Sequence, residues 1–320
     1  MYGREKEKMT IKDRAITLKK EASSLLLLAL TLAFGLLLSG EAGKYMKEGL
    51  SIAVNSVIPT SFPFMIISDI YVTYGNPENI RALRGIVKSV FGFSPHCLAP
   101  LICGNIGGFP IGAKMAADSY AQGLIKKEEA ERLIPLSNNP SCAFIVGGVG
   151  LGILGDVSLG FILLISVYTS TLLCAVLTRK TYSNFLFRDD NARQNYSFVT
   201  SVKNAGSSCI SIIAFICIFS VINGIIKKRI KYAPILYIIS AFSEVTNAVK
   251  TFATTTDLPP LLSLSLIAFS LGFGGVCVGL QSSVFTTNTD LSMKKYYLIK
   301  LLEGILSASI FSILFIIIKQ

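Results

Sequence analysis

The sequence reads CGNIGGFPIGAK at residues 103–114 and LSNNPSCAFI at residues 136–145. Both stretches are largely apolar, but glycine and proline interrupt them. A weaker form of the pattern returns about half a chain later, as SEVTNA at 243–248 and GFGG at 272–275. Broken helices at matching places in the two halves of a membrane protein are typical of a solute pathway. The four stretches therefore favour a transporter.

The composition of the chain predicts an integral membrane protein. Hydrophobic residues make up 52% of the 320 residues and charged residues only 15%, with a mean hydropathy of +0.60. A soluble domain has roughly 25% charged residues. A helix needs about 20 mostly apolar residues to cross the hydrocarbon layer. Uncharged runs of about this length or longer lie at 22–40, 49–68, 133–155, 157–178, 204–226 and 258–289.

These runs predict an all-α integral membrane protein with about 8–10 transmembrane or re-entrant helical segments. We expect two structurally repeated halves with broken helices, at 21–178 and 204–320. The net charge of +11 does not indicate nucleic-acid binding, because Lys and Arg cluster between the apolar runs, where they meet lipid headgroups. The basic tail at 1–20 and the polar linker at 179–203 are expected in the cytoplasm.

Two prolines interrupt the apolar run at 49–68. Proline has no N–H and clashes with the preceding helical turn, so Pro59 and Pro63 predict a broken span or a helical hairpin. The other predicted structural breaks are Gly108, Pro110, Gly112, Pro140, Gly274 and Gly275. The charged run at 126–132 predicts the solvent-exposed start of a helix.

Ionisable and amide side chains inside the apolar segments are the candidate ligands, because such groups are costly at membrane depth. Lys114 and Asp118 are four residues apart, so they either pair with each other or leave Lys114 for an anionic solute. Glu244 and Asn247 either hold a structural hydrogen bond or bind a solute or cation. The predicted solute-binding residues are Lys114, Asn138, Asn139, Ser141, Glu244, Thr246, Asn247 and Gln281.

The amides around Pro140 have two interpretations. Asn and Ser before a proline cap a following half-helix, whose N–H groups then point at whatever lies in front of them. Asn138 and Asn139 therefore form either a capped kink without a ligand or part of a binding site. Gln281 is a lone amide, which is more typical of helix packing than of ligand binding.

The sequence predicts no enzyme, no cofactor and no metal site. It has one histidine, His96, which with Cys97 gives too few ligands for a metal, and no Walker motif. An intramembrane enzyme stays as an alternative. The expected partners are a small anionic solute and the lipid bilayer, with no nucleic acid. A coupling cation and a homo-oligomer are left open.

Four motifs resemble the YlbJ-like sporulation integral membrane proteins, of the nucleoside-recognition (gate) domain family. They are VIPTSFPF at 57–64, GFPIGAK at 108–114, SNNPS at 137–141 and FGGVCVGLQ at 273–281. The resemblance covers roughly 45–310. The chain has GGFP where the family usually has SGYP, and NNPS where the family usually has NNAS.

The resemblance implies a role in endospore formation in a Gram-positive bacterium. It implies a carrier that moves dipicolinate, a small aromatic dianion, across the mother-cell membrane system, with the protein in the mother-cell or outer forespore membrane. Half-helix N-termini and Lys114 suit such a carboxylate. The alternatives are a nucleoside-type solute carrier and a non-transporting scaffold required for spore assembly.

Overall fold

The computed structural model describes residues 40–74, 81–180 and 197–319. The predicted basic tail, nearly all of the predicted first span at 22–40 and most of the linker at 179–203 lie outside these residues. Within the described residues the regular structure is helical throughout, with no strand, and this confirms the predicted all-α class. The helix contacts described below belong to one compact unit, Met46–Gln320.

The α-helices differ widely in length, from nine to 32 residues. In chain order they are α1 Ala42–Ile52, α2 Ile58–Tyr74, α3 Arg81–Phe91, α4 Leu98–Gly107, α5 Ile111–Ala121, α6 Lys127–Ser137, α7 Val157–Leu177, α8 Phe198–Arg229, α9 Ala233–Ser243, α10 Val245–Thr254, α11 Pro260–Phe273, α12 Gly275–Ser283 and α13 Lys294–Lys319. Two π-helical segments, Ala53–Val57 and Ala143–Ile153, and two short 3₁₀ turns, Pro95–Cys97 and Val284–Thr286, complete the regular structure.

Several of these helices can cross a membrane. Among the described residues, the helices that are long and apolar enough are Val157–Leu177, Phe198–Arg229, Pro260–Thr286 and Lys294–Ile318, and the bent pair Ala42–Asn55 and Ile58–Tyr74 adds a fifth if it counts as one span. A helix rises 1.5 Å per residue, so the helices of 10–11 residues are too short to cross alone. They lie on either side of interruptions, as the Gly/Pro pattern predicts.

The break near the first two prolines lies earlier than predicted. Pro59 and Pro63 are both inside α2, and the irregular segment is the π-helical stretch Ala53–Val57 before them. Proline clashes with the carbonyl four residues before it, and a wider π turn gives Pro59 the space it needs. The helices on either side are bent by 49°, so this apolar run is interrupted, as a broken span or a helical hairpin requires.

Four further interruptions separate the short helices. Gly108 and Pro110 separate α4 from α5, with a positive φ of 82° at Gly108 and a cis Phe109–Pro110 peptide. Residues 138–141 separate α6 from the second π-helical segment. Glu244, in an extended conformation, separates α9 from α10. Gly274 and Gly275, with φ values of 81° and 82°, separate α11 from α12.

Gly112 is not a break, in contrast to the prediction, because it lies inside α5. It is instead a close-packing position. A methyl group on Gly112 would lie 1.8 Å from the carbonyl oxygen of Ser137, and one on Gly104 would lie 2.2 Å from the same oxygen. The backbones of α4, α5 and α6 therefore meet at Ser137, immediately before the interruption at 138–141.

The predicted exposure of the charged run at 126–132 is wrong for its later residues. Glu129 and Arg132 are almost completely buried. The Glu129 carboxylate accepts a 2.6 Å hydrogen bond from the Ser94 backbone N–H, and Arg132 donates to the Ala175 carbonyl at the end of α7. The Arg132 guanidinium also stacks on the Phe93 ring at 4.0 Å. The turn at 93–97 covers this face of α6.

Candidate functional site

The two interruptions of the first half of the chain pack against each other and against the second half. A methyl group on Gly108 would lie 3.0 Å from the backbone nitrogen of Ser141. One on Gly274 would lie 3.1 Å from the Phe109 ring. The α4–α5 interruption thus contacts both the interruption at 138–141 and the α11–α12 interruption.

The α11–α12 interruption also contacts the interruption at Glu244, between α9 and α10. A methyl group on Gly275 would lie 2.8 Å from the Ser243 carbonyl oxygen and 3.1 Å from the Glu244 nitrogen. All four interruptions are therefore joined by direct contacts. Irregular backbone at membrane depth is tolerated only where protein or water satisfies its polar groups. This cluster of interruptions is the place where we look for a site.

A buried polar cluster lies at this place, and we call it the Lys300 network. Its residues are Lys300, Glu303, Asn138, Asn139, Asn105, Thr171, Ser282 and Tyr296. The Lys300 ammonium donates to Asn139 Oδ1 at 2.7 Å, to the Asn138 carbonyl at 3.2 Å and to Glu303 Oε2 at 3.1 Å. The side chains of Lys300 and Glu303 are 0% exposed.

The remaining bonds of the network join separate elements of the fold. Asn138 Nδ2 donates to Ser282 Oγ at 2.8 Å and to the Tyr296 hydroxyl at 3.1 Å. Asn139 Nδ2 donates to Asn105 Oδ1 at 2.9 Å, and the Thr171 hydroxyl donates to Glu303 Oε1. The network therefore connects α4, α7, α12 and α13 through the interruption at 138–141.

Helical spacing and burial explain the ion pair at the centre. Lys300 and Glu303 are three residues apart on α13, so both side chains lie on one face. A buried charge costs several kcal/mol unless it is paired and hydrogen-bonded. The ammonium has three N–H groups, and each has an oxygen acceptor. The pair has a net charge of zero.

Two buried polar atoms in and beside the network have no hydrogen-bond partner among the described residues. They are Asn138 Oδ1 and the Ser307 hydroxyl, and Ser307 lies one helical turn after Glu303 on α13. A buried polar atom without a partner costs about 1–3 kcal/mol. Both residues are fully buried. A water molecule or a polar ligand could satisfy these two atoms.

Lys114 belongs to a different cluster. It is 4% exposed and pairs with Asp118, four residues later on α5, at 2.6 Å. It also pairs with Asp69 on α2, which the sequence interpretation did not include. Lys114 therefore pairs with Asp118, which is one of the two predicted arrangements, and its ammonium contacts two carboxylates. An anionic solute would have to displace one of them.

Glu244 caps helix α10. Of its two predicted roles, a structural hydrogen bond or a ligand, the hydrogen bond is the one observed. Its carboxylate accepts hydrogen bonds from the backbone N–H groups of Thr246 at 2.9 Å and Asn247 at 2.8 Å, and a third from Asn247 Nδ2. A carboxylate at this position is also stabilised by the positive end of the α10 dipole. The carboxylate thus accepts three hydrogen bonds from its own helix.

The other predicted site residues also have local partners. Ser141 Oγ accepts from the Phe144 N–H at 3.2 Å, and Gln281 Nε2 donates to Cys277 Sγ at 3.3 Å within α12. Of the eight predicted residues, only Asn138 and Asn139 belong to the Lys300 network. Lys300 and Glu303 were missed, although two charges in an apolar final helix are a signal for a site at membrane depth.

A surface ion pair offers a contrast to these buried groups. Lys127 Nζ lies 2.8 Å from Asp290, and the Tyr120 hydroxyl donates to the same carboxylate at 2.6 Å. Both hydrogen bonds lower the pKa of Asp290, and the one from Lys127 has the larger effect. Both members of the pair are solvent-accessible, so water and salt screen their attraction.

Lys114→Met is expected to lower stability by about 3 kcal/mol, because it leaves two partly buried carboxylates, 13% and 35% exposed, without their cation. Thermal unfolding of the detergent-purified protein can be followed by the reactivity of its buried cysteines. The matched control is Lys127→Met, which removes the exposed partner of Asp290 and should leave the unfolding temperature unchanged. Equal unfolding temperatures for the two variants would contradict the structural role of Lys114.

Comparison with known proteins gives one informative similarity. No family model matches the chain, and no solved structure matches it. The sporulation integral membrane protein YlbJ of Bacillus subtilis (strain 168) is 26% identical over 307 residues, which cover 82% of this chain and 74% of that protein. The predicted resemblance to the YlbJ-like proteins is confirmed. The chain, with its apolar helices, is a multi-pass membrane protein. The assignment to the nucleoside-recognition domain family stays a prediction.

Proposed function

We propose that the protein is a membrane carrier of endospore formation that moves a small anionic solute. The involvement in endospore formation is supported by the similarity to a sporulation integral membrane protein. Dipicolinate is the solute that the family resemblance implies, and the membrane would then be that of the mother cell or the outer forespore membrane.

The observation that carries the proposal is that the Lys300 network includes the interruption at 138–141, which belongs to the connected set of four interruptions. Discontinuous helices place backbone dipoles and polar side chains at membrane depth, where a carrier holds its solute. A lysine that is fully buried in a membrane protein faces a partner or a pathway. Lys300 contacts both the interruption at 138–141 and Glu303.

The donors of the network suit a carboxylate. The Lys300 ammonium gives a charge-assisted hydrogen bond, which is roughly twice as strong as a neutral one. The amides of Asn138 and Asn139 add N–H groups within the same cluster. Lys114 suits an anion less well than the sequence predicted, because two carboxylates already neutralise it.

The test is solute flux through purified protein in liposomes, with dipicolinate measured by terbium luminescence. We expect saturable flux that protein-free liposomes lack. Asn139→Leu removes the amide oxygen that positions the Lys300 ammonium for the solute, and a hydrogen bond to a charged group contributes about 1.5–3 kcal/mol. The flux at low solute concentration should therefore fall roughly 10- to 100-fold.

Asp290→Asn, on the surface, is the matched control and should leave the flux unchanged. Folded protein that moves neither dipicolinate nor nucleosides would overturn the carrier proposal in favour of a scaffold. Flux of nucleosides without dipicolinate would overturn the anionic solute and support the nucleoside-type alternative.

A further inference from the structure

We propose that Glu303 carries a proton that moves together with the solute, so that transport is coupled to H⁺. This inference rests on the proposed function. A carboxylate of the solute replaces Glu303 on the Lys300 ammonium, and Glu303 takes up one proton. The coupling ion of the carrier is therefore H⁺.

The contacts of Lys300 single out Glu303 as the partner that is replaced. All three N–H groups of the ammonium are in use, so an incoming carboxylate must displace one of the three acceptors. Two of these acceptors, the Asn138 carbonyl and Asn139 Oδ1, are neutral and belong to the interruption. Glu303 is the charged one, so a carboxylate of the solute that takes its place keeps a negative partner on the Lys300 ammonium.

The charge balance requires the proton. The buried Lys300–Glu303 pair is neutral, and one added carboxylate would leave an uncompensated negative charge, at a cost of several kcal/mol. One proton, given up by a hydronium ion on the entry side, forms an O–H bond on Glu303 and compensates that carboxylate. A monocarboxylate then leaves the site neutral, and dipicolinate leaves it with only the charge of its second carboxylate. The solute carboxylate then pairs with Lys300 in place of Glu303. On release of the solute the proton leaves and the original pair forms again.

Thr171 can serve both protonation states of Glu303. Its hydroxyl lies within hydrogen-bond distance of Glu303 Oε1 and, at 3.0 Å, of the Val167 carbonyl. When Glu303 is ionised, the hydroxyl donates to the carboxylate. When Glu303 is protonated, the hydroxyl can donate to Val167 and accept the new O–H of Glu303, because a hydroxyl both donates and accepts.

Among the titratable groups that surround it, Glu303 is the group that changes its charge. Lys300 and Tyr296 face it from α13, and Cys174 faces it from α7. Phenol and thiol groups are neutral at pH 7 at their ordinary pKa values, and the ammonium of lysine is charged. Among these groups only the carboxylate gains by protonation when a second anion arrives.

The experiment compares two modes of transport in the same liposomes. A pH gradient, acidic on the entry side and at fixed membrane potential, should drive dipicolinate accumulation by the wild type, and each solute molecule should carry about one proton, read with a pH dye. Glu303→Gln keeps the shape of the side chain but carries no proton. It should retain solute exchange between the two sides and lose gradient-driven accumulation. Asp290→Asn should retain both modes.

The outcomes separate the two proposals. Wild-type protein without any flux overturns the carrier proposal itself. Wild-type flux that does not change with the pH gradient overturns only the proton coupling. This measurement uses the wild type alone, so it does not depend on whether any variant folds. Accumulation that persists in a folded Glu303→Gln variant also overturns the coupling. A folded Glu303→Gln variant that loses exchange together with accumulation overturns it as well, because exchange needs no proton.

Discussion

Lys300→Met is expected to abolish solute flux and to lower the stability of the protein by about 3–5 kcal/mol, since breaking a buried ion pair leaves an uncompensated charge. Glu303 would remain fully buried with Thr171 as its partner and no cation. The Asn138 carbonyl and Asn139 Oδ1 would each lose their charged donor as well. Flux in liposomes and the unfolding temperature in detergent measure the two effects separately.

The double variant Lys300→Met/Glu303→Gln separates the structural effect from the functional one. Replacing a whole buried ion pair by neutral side chains is often close to neutral in stability. We therefore expect the double variant to recover most of the unfolding temperature while its flux stays absent. Lys127→Met, with an exposed partner, is the matched control for the loss of a lysine. Recovery of flux in the double variant would contradict the assignment of Lys300 to the solute site.

The interruptions of the fold were predictable from local sequence because their causes are local. Gly274 and Gly275 have positive φ values, which other residues rarely adopt, and Pro110 lies where its missing N–H breaks no helix. Gly112 shows the limit of this inference. A glycine permits a bend or a close approach equally, and only the position of the Ser137 carbonyl shows which one the fold uses.

The candidate site was only partly predictable because its partners come from distant parts of the sequence. Asn138 and Asn139 were found because amides beside a proline are unusual in an apolar run. Lys300 lies about 160 residues later, and its contact with Asn139 depends on how α13 packs against the interruption. Asp69 was missed as a partner of Lys114 for the same reason, because the two residues are 45 positions apart in the sequence.

Three kinds of buried charge can now be distinguished by their partners. Glu244 is satisfied by the N-terminus of its own helix. Lys114 is held by two carboxylates. Lys300 contacts groups from other elements, among them Asn139 of the interruption at 138–141, and lies in a cluster with buried polar atoms that have no partner among the described residues. Satisfied local charges stabilise helices, whereas a network shared among several elements can respond to a ligand.

Gly112→Ala is expected to be among the most damaging alanine substitutions at the glycines that the structure describes. The added methyl group would lie 1.8 Å from the Ser137 carbonyl oxygen and 2.8 Å from the Ser137 Cβ. Overpacking of this kind costs typically 1–3 kcal/mol and occasionally more, and here the atom in the way is backbone, which cannot turn aside. We expect a loss of about 3 kcal/mol or more in stability, seen as a lower unfolding temperature.

The same substitution should also remove flux from the protein that remains folded. Ser137 directly precedes Asn138 and Asn139, so a shift of its carbonyl moves both amides away from Lys300. Gly206→Ala on α8 is the matched control, because its methyl group would meet no atom within 4 Å. It should keep both stability and flux. The shift of the Ser137 carbonyl acts on Lys300 through residues 138 and 139. A Gly112→Ala protein with wild-type flux would therefore show that the α5–α6 contact does not position the Lys300 network.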